Sequence, residues 1–406
     1  MRHALCAMLL SILQGGGSMK TYSILIGIMI AALILPLGAF AQGKEPVRVG
    51  VILPYTGPLA SLGDHVTKGM ELYFNEINWK AGGREITLLK EDDEGKPQIG
   101  LDKARKLVES KKAHMLVGPI SSAVAYAIAE YAVAKRVPFI INNAGAIELT
   151  QKKASKYIFR TSFANGQYEY PLAPYAYKKL GYRKVILMAA DWAAGYEKSK
   201  AFKKEFLKEG GQVTQEIYTP LGVPDFGPYL SKVKDADAVW NFYAGSDAIK
   251  FVKQFDEYGL KKKMGLMGVG SLTNEVYLND EGDAALDIVT SSFYNPHDKN
   301  PLNEKFVKAF VEKFKVLPSY DDYAGYISAQ VIAKALEKIQ GDVEKTDRFL
   351  EALKGIEFDG PTGRFRFDEK QNVILTVYIQ KVVKEGGRLT NALVETIPNV
   401  KQISID

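Results

Sequence analysis

The sequence predicts an α/β protein of two doubly wound lobes, on three observations. From residue 47 onward, short apolar runs alternate with longer helical ones, the order that builds a parallel sheet covered on both faces. After "PFIINN" (138–143) the alternation starts again with "YPLAPYAYKKLG", so there are two such units. At 406 residues the chain is also too long for one ordinary core and suits two domains.

The elements follow in order. "VRVGVIL" (47–53) reads as a strand, "TKGMELYFNEINW" (67–79) has helical spacing, and "ITLLKEDD" (86–93) is a strand. "QIGLDKARKLVES" (98–110) is helical, "AHMLVGP" (113–119) a strand, "SAVAYAIAEYAVAKR" (122–136) a helix and "PFIINN" a strand. In the second unit "KVILMAAD" (184–191), "QVTQEIYT", "DAVWNFYA" (237–244) and "KMGLMGVG" (263–270) are strands, separated by charged helices. Gly-Gly after "KEFLKE" and Gly-Leu after "FDEY" punctuate helix ends. Two long amphipathic helices are expected near 300–316 and 322–340, and "TGRFRFDEKQNVILTVYIQKVV" alternates as strands around a polar turn.

Composition narrows the function classes. The chain is 47% hydrophobic and 25% charged, with a formal charge of +6, but its acids and bases alternate along the helices. No basic block with interleaved aromatics stands apart, so nucleic acid is not an expected partner. The N-terminus reads as an export signal: Lys20, an apolar core from Ile24 to Leu35, then Ala39-Phe40-Ala41, with cleavage after Ala41. Residues 1–18 read as an extension upstream of Met19. The competing reading, a membrane anchor, is disfavoured because Pro36 and the small-residue tail end the run early. The single cysteine, Cys6, lies in this segment, so the mature chain has no disulfide, thiol nucleophile or lipid-attachment cysteine.

In open parallel sheets, ligands sit beyond the carboxyl ends of the strands. Tyr55 and Thr56 follow the first strand, Ser121 and Ser122 follow "MLVG", and Asn142, Asn143, Ala144 and Gly145 follow "PFII". A serine at a helix start has two readings. Its oxygen caps the helix, or, beside free N–H groups and the positive dipole end, it helps to cradle a carboxylate; spacing alone leaves both open. Trp192 in "ADWAAGYE" stands just past another strand end.

Enzyme motifs are missing: no G-x-S-x-G, no G-x-x-x-x-G-K-[ST] and no G-x-G-x-x-G opening a helix. His65, His114 and His297 lack metal-ligand spacing, so neither metal nor cofactor is expected. His114 reads as structural, His65 as near the first loop and a candidate for ligand contact, and "EDDEG" (91–95) as a solvated acidic loop.

Longer stretches carry a family resemblance. "VRVGVILPYTGPLASLGDHVTKGMELYFNEIN", "MLVGPISSAVAYAIAEYAVAKRVPFIINNAGAIELT", "ILMAADWAAGYEKSKAFK" and "VWNFYAGSDAIKFVKQFDEYGL" resemble the periplasmic leucine/isoleucine/valine-binding proteins that serve ABC transporters. The resemblance runs from about 46 to 406. It implies the type I periplasmic binding fold, with two lobes joined by a three-segment hinge. The first lobe is expected at 46–163 with 297–372, the second at 164–296 with 373–406, after the signal segment 1–41. It also implies a monomer that closes on a small molecule in the periplasm and docks on a membrane permease.

The site implied by the resemblance departs from the family pattern. The carboxylate-holding serine falls on Ser122, and a cysteine found in some members falls on Ser121. The carbonyl offered to the ligand ammonium falls on Asn143, while the threonine that contacts both ligand charges falls on Gly145. The glutamate that pairs with the ammonium falls on Gly270, and family tyrosines fall on Leu62, Ala194 and Ala244. A late tyrosine is kept as Tyr326, with Tyr323 one turn away. A buried ammonium without its carboxylate costs several kcal/mol. The implied ligand is therefore a carboxylate with an aromatic or bulky apolar body and no α-ammonium, with Trp192, Tyr196 and Tyr326 offering rings. A branched-chain amino acid, a small amide, or a sensor role on the same fold are the alternatives.

Overall fold

The computed structural model describes residues 45–404; the expected export signal and Cys6 lie outside them. Two large sheets organise the chain. The first runs in the order β2-β3-β1-β4-β5-β6, from strands Lys80–Ala81, Arg84–Asp92, Val47–Leu53, Met115–Val117, Phe139–Ile141 and Ile158–Arg160. All but β2 are parallel. The second runs β15-β14-β11-β10-β9-β7-β8, from Arg388–Val400, Leu375–Glu385, Val289–Ser292, Gly265–Val269, Ala238–Phe242, Lys184–Ala190 and Gln212–Thr219. Its last five strands are parallel, and β14 and β15 add an antiparallel edge. A small hairpin pairs β12 (Glu357–Gly360) with β13 (Gly363–Arg366).

Among the described residues the helices of seven residues or more are α1 (Ala60–Glu76), α2 (Pro97–Arg105), α3 (Ser122–Lys135), α4 (Leu172–Lys178), α5 (Ala193–Lys208), α6 (Ser246–Glu257), α7 (Pro301–Phe314), α8 (Tyr320–Lys338) and α9 (Thr346–Lys354). Because helices cover both faces, central strands are buried on both sides: Val49, Val51, Ile52 and Leu53 of β1 are all 0% exposed. The carboxyl-terminal run turns at residues 367–373, where Phe367 and Val373 form an antiparallel bridge. Its first half pairs back with β12 and its second half with β11 and β15.

Late segments return to early ones. Helix α8 packs on α1 at a crossing where neither backbone leaves room for a side chain. A Cβ on Gly69 would meet the Asp322 carbonyl oxygen at 1.8 Å, and one on Gly325 would meet that of Val66 at 1.9 Å. The fully buried Arg160 at the end of β6 ties the crossing segments together. It donates to the carbonyls of Ala144 and Ala146, to Thr150 and to Asn372. After β15 the chain comes back to the first sheet's side, where Gln402 and Ile403 accept from Thr150 and Gln151.

Candidate ligand-binding site

Loops at the carboxyl ends of both parallel sheets line a narrow cavity of about 30 Å³. The first sheet's side supplies Leu59 and Leu62 beyond β1, Ile120 and Ser122 beyond β4, Asn143 and Gly145 beyond β5, and Phe163 and Asn165 beyond β6. The second supplies Trp192, Ala194 and Lys198 beyond β7, Phe242 and Ala244 at the end of β9, and Ser271 beyond β10. Tyr168 from a crossing segment and Tyr320 at the start of α8 complete the lining.

The paired serines divide their roles. Ser121 is the N-cap of α3, with extended backbone at φ −77° and ψ 127°, yet no side-chain oxygen caps the helix. Ser122 is the first helical residue and faces the cavity. Its Oγ accepts from Asn165 Nδ2 at 3.2 Å, which leaves its own proton free to donate. The first N–H groups of a helix lack intrahelical acceptors, so Ser122 sits at a cluster of donors.

Gly145 is explained by the same asparagine. A Cβ there would meet Asn165 Oδ1 at 2.0 Å. Asn165 therefore fills the space that a threonine at 145 would need, and its buried Oδ1 has no hydrogen-bond partner among the described residues.

Lys198 is the charged group of the cavity. Its side chain is 2% exposed and pairs with the fully buried Glu169. Its Nζ lies 4.4 Å from the Phe163 ring centre, 4.3 Å from Tyr168 and 5.2 Å from Phe242, and donates to Tyr168 Oη at 3.1 Å. Burial pulls its pKa down, against the pull of Glu169. An ammonium has three donors, and Glu169 and Tyr168 account for two.

The aromatic wall is continuous with the core. Trp192 and Phe242 lie parallel, 6° apart with centroids at 6.1 Å, and Phe163 meets Tyr168 edge-on at 4.9 Å. Trp192 Nε1 is buried with no hydrogen-bond partner among the described residues.

Several expected contacts lie elsewhere. Tyr55 Oη bonds Thr67 on α1 at 2.8 Å, and its backbone N–H donates to Asp92. Tyr196 is 46% exposed, bonds Asp191 and packs on Tyr218. Tyr323 stacks on Tyr294 and bonds Thr362, while Tyr326 donates to Glu76 and packs on Tyr73 and Phe306. Both tyrosines serve α8's buried packing. Gly270 is buried with its would-be Cβ 2.9 Å from Ser292, and the next residue, Ser271, takes the cavity position. Ala144 is buried and gives its carbonyl to Arg160. His65 is engaged by Asp322, and the acidic loop is only partly solvated: the Glu94 side chain is 40% exposed, but Asp93 is fully buried, with its pKa pushed up to about 7 by burial.

Nearby carboxylates have partners. Asp321, fully buried, accepts from Asn143 Nδ2 at 2.7 Å and from Asn274 Nδ2 at 2.8 Å. Glu275 accepts from Asn391, and burial raises its pKa to about 7. Among the described residues no group of His, Cys, Asp and Glu is arranged to hold a metal ion.

Residues 46–388 match the family model described as "Periplasmic binding protein". A "Leu/Ile/Val-binding protein homolog 6" from Brucella melitensis is 30% identical over 379 residues, 91% of this chain and 96% of that one. An ABC transporter substrate-binding protein from Sphaerobacter thermophilus has 40% identity and a TM-score of 0.83, over 88% of this chain and 99% of its own. A solute-binding protein from R. palustris, solved in complex with benzoate, has 32% identity and a TM-score of 0.82, over 87% of this chain and 98% of its own. The chain belongs to the periplasmic binding protein family, with the type I fold of the substrate-binding components of ABC transporters, which bind small molecules and interact with membrane permeases.

Proposed function

We propose that this substrate-binding protein captures an aromatic carboxylate of the benzoate class and delivers it to its permease, without chemical change to the ligand. The observation that carries the reading is Lys198, a buried ammonium in a cavity walled by Phe163, Tyr168, Trp192 and Phe242. Its remaining N–H, the Ser122 hydroxyl and the first N–H groups of α3 are donors for a carboxylate. Charge-assisted bonds of this kind are among the strongest a protein makes. The rings offer apolar area to the ligand body, and Trp192 Nε1 is a further donor for a ring substituent. The relative crystallised with benzoate supports the ligand class. Export through the signal segment 1–41, a monomeric state, and hinge closure of lobes 46–163 with 297–372 on 164–296 with 373–406 belong to the same reading.

No acid is among the residues that line the cavity, so an α-ammonium meets no carboxylate on its wall. Behind the wall, Glu169 pairs with Lys198 through Oε1 while its Oε2 has no hydrogen-bond partner among the described residues, and both oxygens of Asp321 accept amide donors. A branched-chain amino acid is the competing ligand, favoured by the placement of Asp321 on Asn143 and by the name of the Brucella relative.

The test is a thermal-shift panel on the chain from Gln42 onward, benzoates against leucine, isoleucine and valine. Ligand at about 100 times its Kd adds about 2.7 kcal/mol of stability. Stabilisation by benzoates alone supports the reading; stabilisation by the amino acids alone overturns it. Recovery of unaltered ligand after incubation checks that no chemistry occurs.

A further inference from the structure

We propose that Glu197 is a positioning residue that couples the ligand's carboxylate to docking of the two lobes; this rests on Ser122 touching that carboxylate. Glu197 stands on α5 of the second lobe, immediately before Lys198. Its own carboxylate turns to the opposite lobe. Oε1 accepts from Tyr126 Oη on α3 at 3.1 Å. Oε2 accepts from the Ile147 backbone N–H at 3.3 Å and from Asn165 Nδ2 at 2.7 Å. That same Asn165 nitrogen donates to Ser122 Oγ, and the Asn165 backbone N–H donates to the Gly145 carbonyl at 2.8 Å.

One second-lobe carboxylate thus gathers a side chain of α3, a backbone group beyond β5 and the asparagine that orients the cavity serine. Separating the lobes breaks the bonds to Tyr126 and Ile147 together, and Asn165, just past the lobe boundary at 163, is then parted from Ser122. In the docked arrangement the amide hydrogen atoms are committed, so the Ser122 hydroxyl keeps its proton for the ligand. Successive residues then divide the work: Glu197 fastens the lobes and sets Ser122 through Asn165, and Lys198 faces the cavity.

The test is a double-mutant cycle read as benzoate Kd. Glu197→Ala is expected to weaken benzoate about tenfold, the size of one hydrogen bond to a charged group. Glu197→Gln keeps an oxygen for Asn165 and offers an NH2 to Tyr126 Oη, so it is expected to retain affinity within about threefold. Because part of the Glu197 effect passes through Ser122, Glu197→Ala is expected to cost clearly less in the Ser122→Ala background than in the wild type. Additive losses, or a Glu197→Ala protein that binds as the wild type does, overturn the proposal. If Glu197→Ala does not fold, Tyr126→Phe serves the same cycle: a loss that is clearly smaller in the Ser122→Ala background supports coupling, and an equal loss in both backgrounds overturns it. Failure of wild type to bind benzoate overturns the ligand reading instead, and the cycle is then run with leucine.

Discussion

The two walls of the cleft are built alike and equipped differently. Each is a row of loops at the carboxyl ends of parallel strands. The first-lobe wall carries small and polar groups, Ser122, Asn143 and Gly145, over the N-terminus of α3. The second-lobe wall carries Trp192, Phe242, two alanines and the ammonium of Lys198. The positions where the family resemblance implied tyrosines and a glutamate fall mostly on the second side, at Ala194 and Ala244 on the wall and at Gly270 just behind it. The first wall thus keeps donors suited to any carboxylate, whereas the second sets what else the ligand carries. Specificity within this fold is accordingly sought on the second wall.

Lys198→Met breaks the comparison most severely. It leaves Glu169 as a buried charge without its partner, which costs about 3–5 kcal/mol. Urea unfolding measures this. The double variant Lys198→Met, Glu169→Leu should recover most of the stability, because an apolar pair of similar volume replaces the ions. It should still fail to bind benzoate by calorimetry, whereas binding close to wild type would remove Lys198 from ligand recognition. Gly145→Thr restores the family's first-wall residue and is expected to cost about 1–3 kcal/mol, because Asn165 must move. In an Asn165→Ala background the same change should cost less, as a shift in Tm would report. Trp192→Phe has a smaller effect. It should abolish most of any benzoate-induced change in tryptophan emission, since Trp240 lies fully buried in the second-lobe core and Trp79 packs beside Phe74.

The sequence was most informative where backbone pattern decides the outcome. Apolar runs marked the strands, and the carboxyl ends of those strands brought Leu62, Ser122, Asn143, Gly145, Trp192 and Ala244 to one cavity. Lys198 was hidden in the charged helical stretch "EKSKAFKKEF", where nothing in the charge pattern sets it apart from its neighbours. Its signal was positional: it shares a helix face with Ala194, Ala201 and Phe202, all buried. Phe163, Asn165 and Tyr168 were missed because they lie in the crossing segment, where no periodicity points a side chain anywhere. Tyr323 and Tyr326 misled for the opposite reason. Helix α8 is buried on almost every face, so spacing could not say which face meets the cleft.

The smallest expected effect asks how rigidly the first wall is framed. Leu59 and Leu62 stand at the start of α1, and Tyr320 stands at the start of α8. Those helices are stapled where His65 Nδ1 lies 2.9 Å from the carboxylate of Asp322, which also accepts from Ser319 in a capping box. Burial draws the His65 pKa down, but the hydrogen bond and charge of Asp322 outweigh it, with Lys68 opposing and Asp321 assisting, so the net shift is upward. A histidine whose pKa is raised in the fold contributes stability that is fully present below its unfolded value, near 6.5. That contribution is lost as pH rises through the higher folded value. His65→Gln should therefore lower Tm more at about pH 5.5 than at about pH 8.5, because the lost contribution is larger on the acid side. A Tm gap that is equal at both pH values would mean that the imidazole is held neutral. The first wall would then owe its frame to the Gly69–Gly325 crossing and the α8 cap alone.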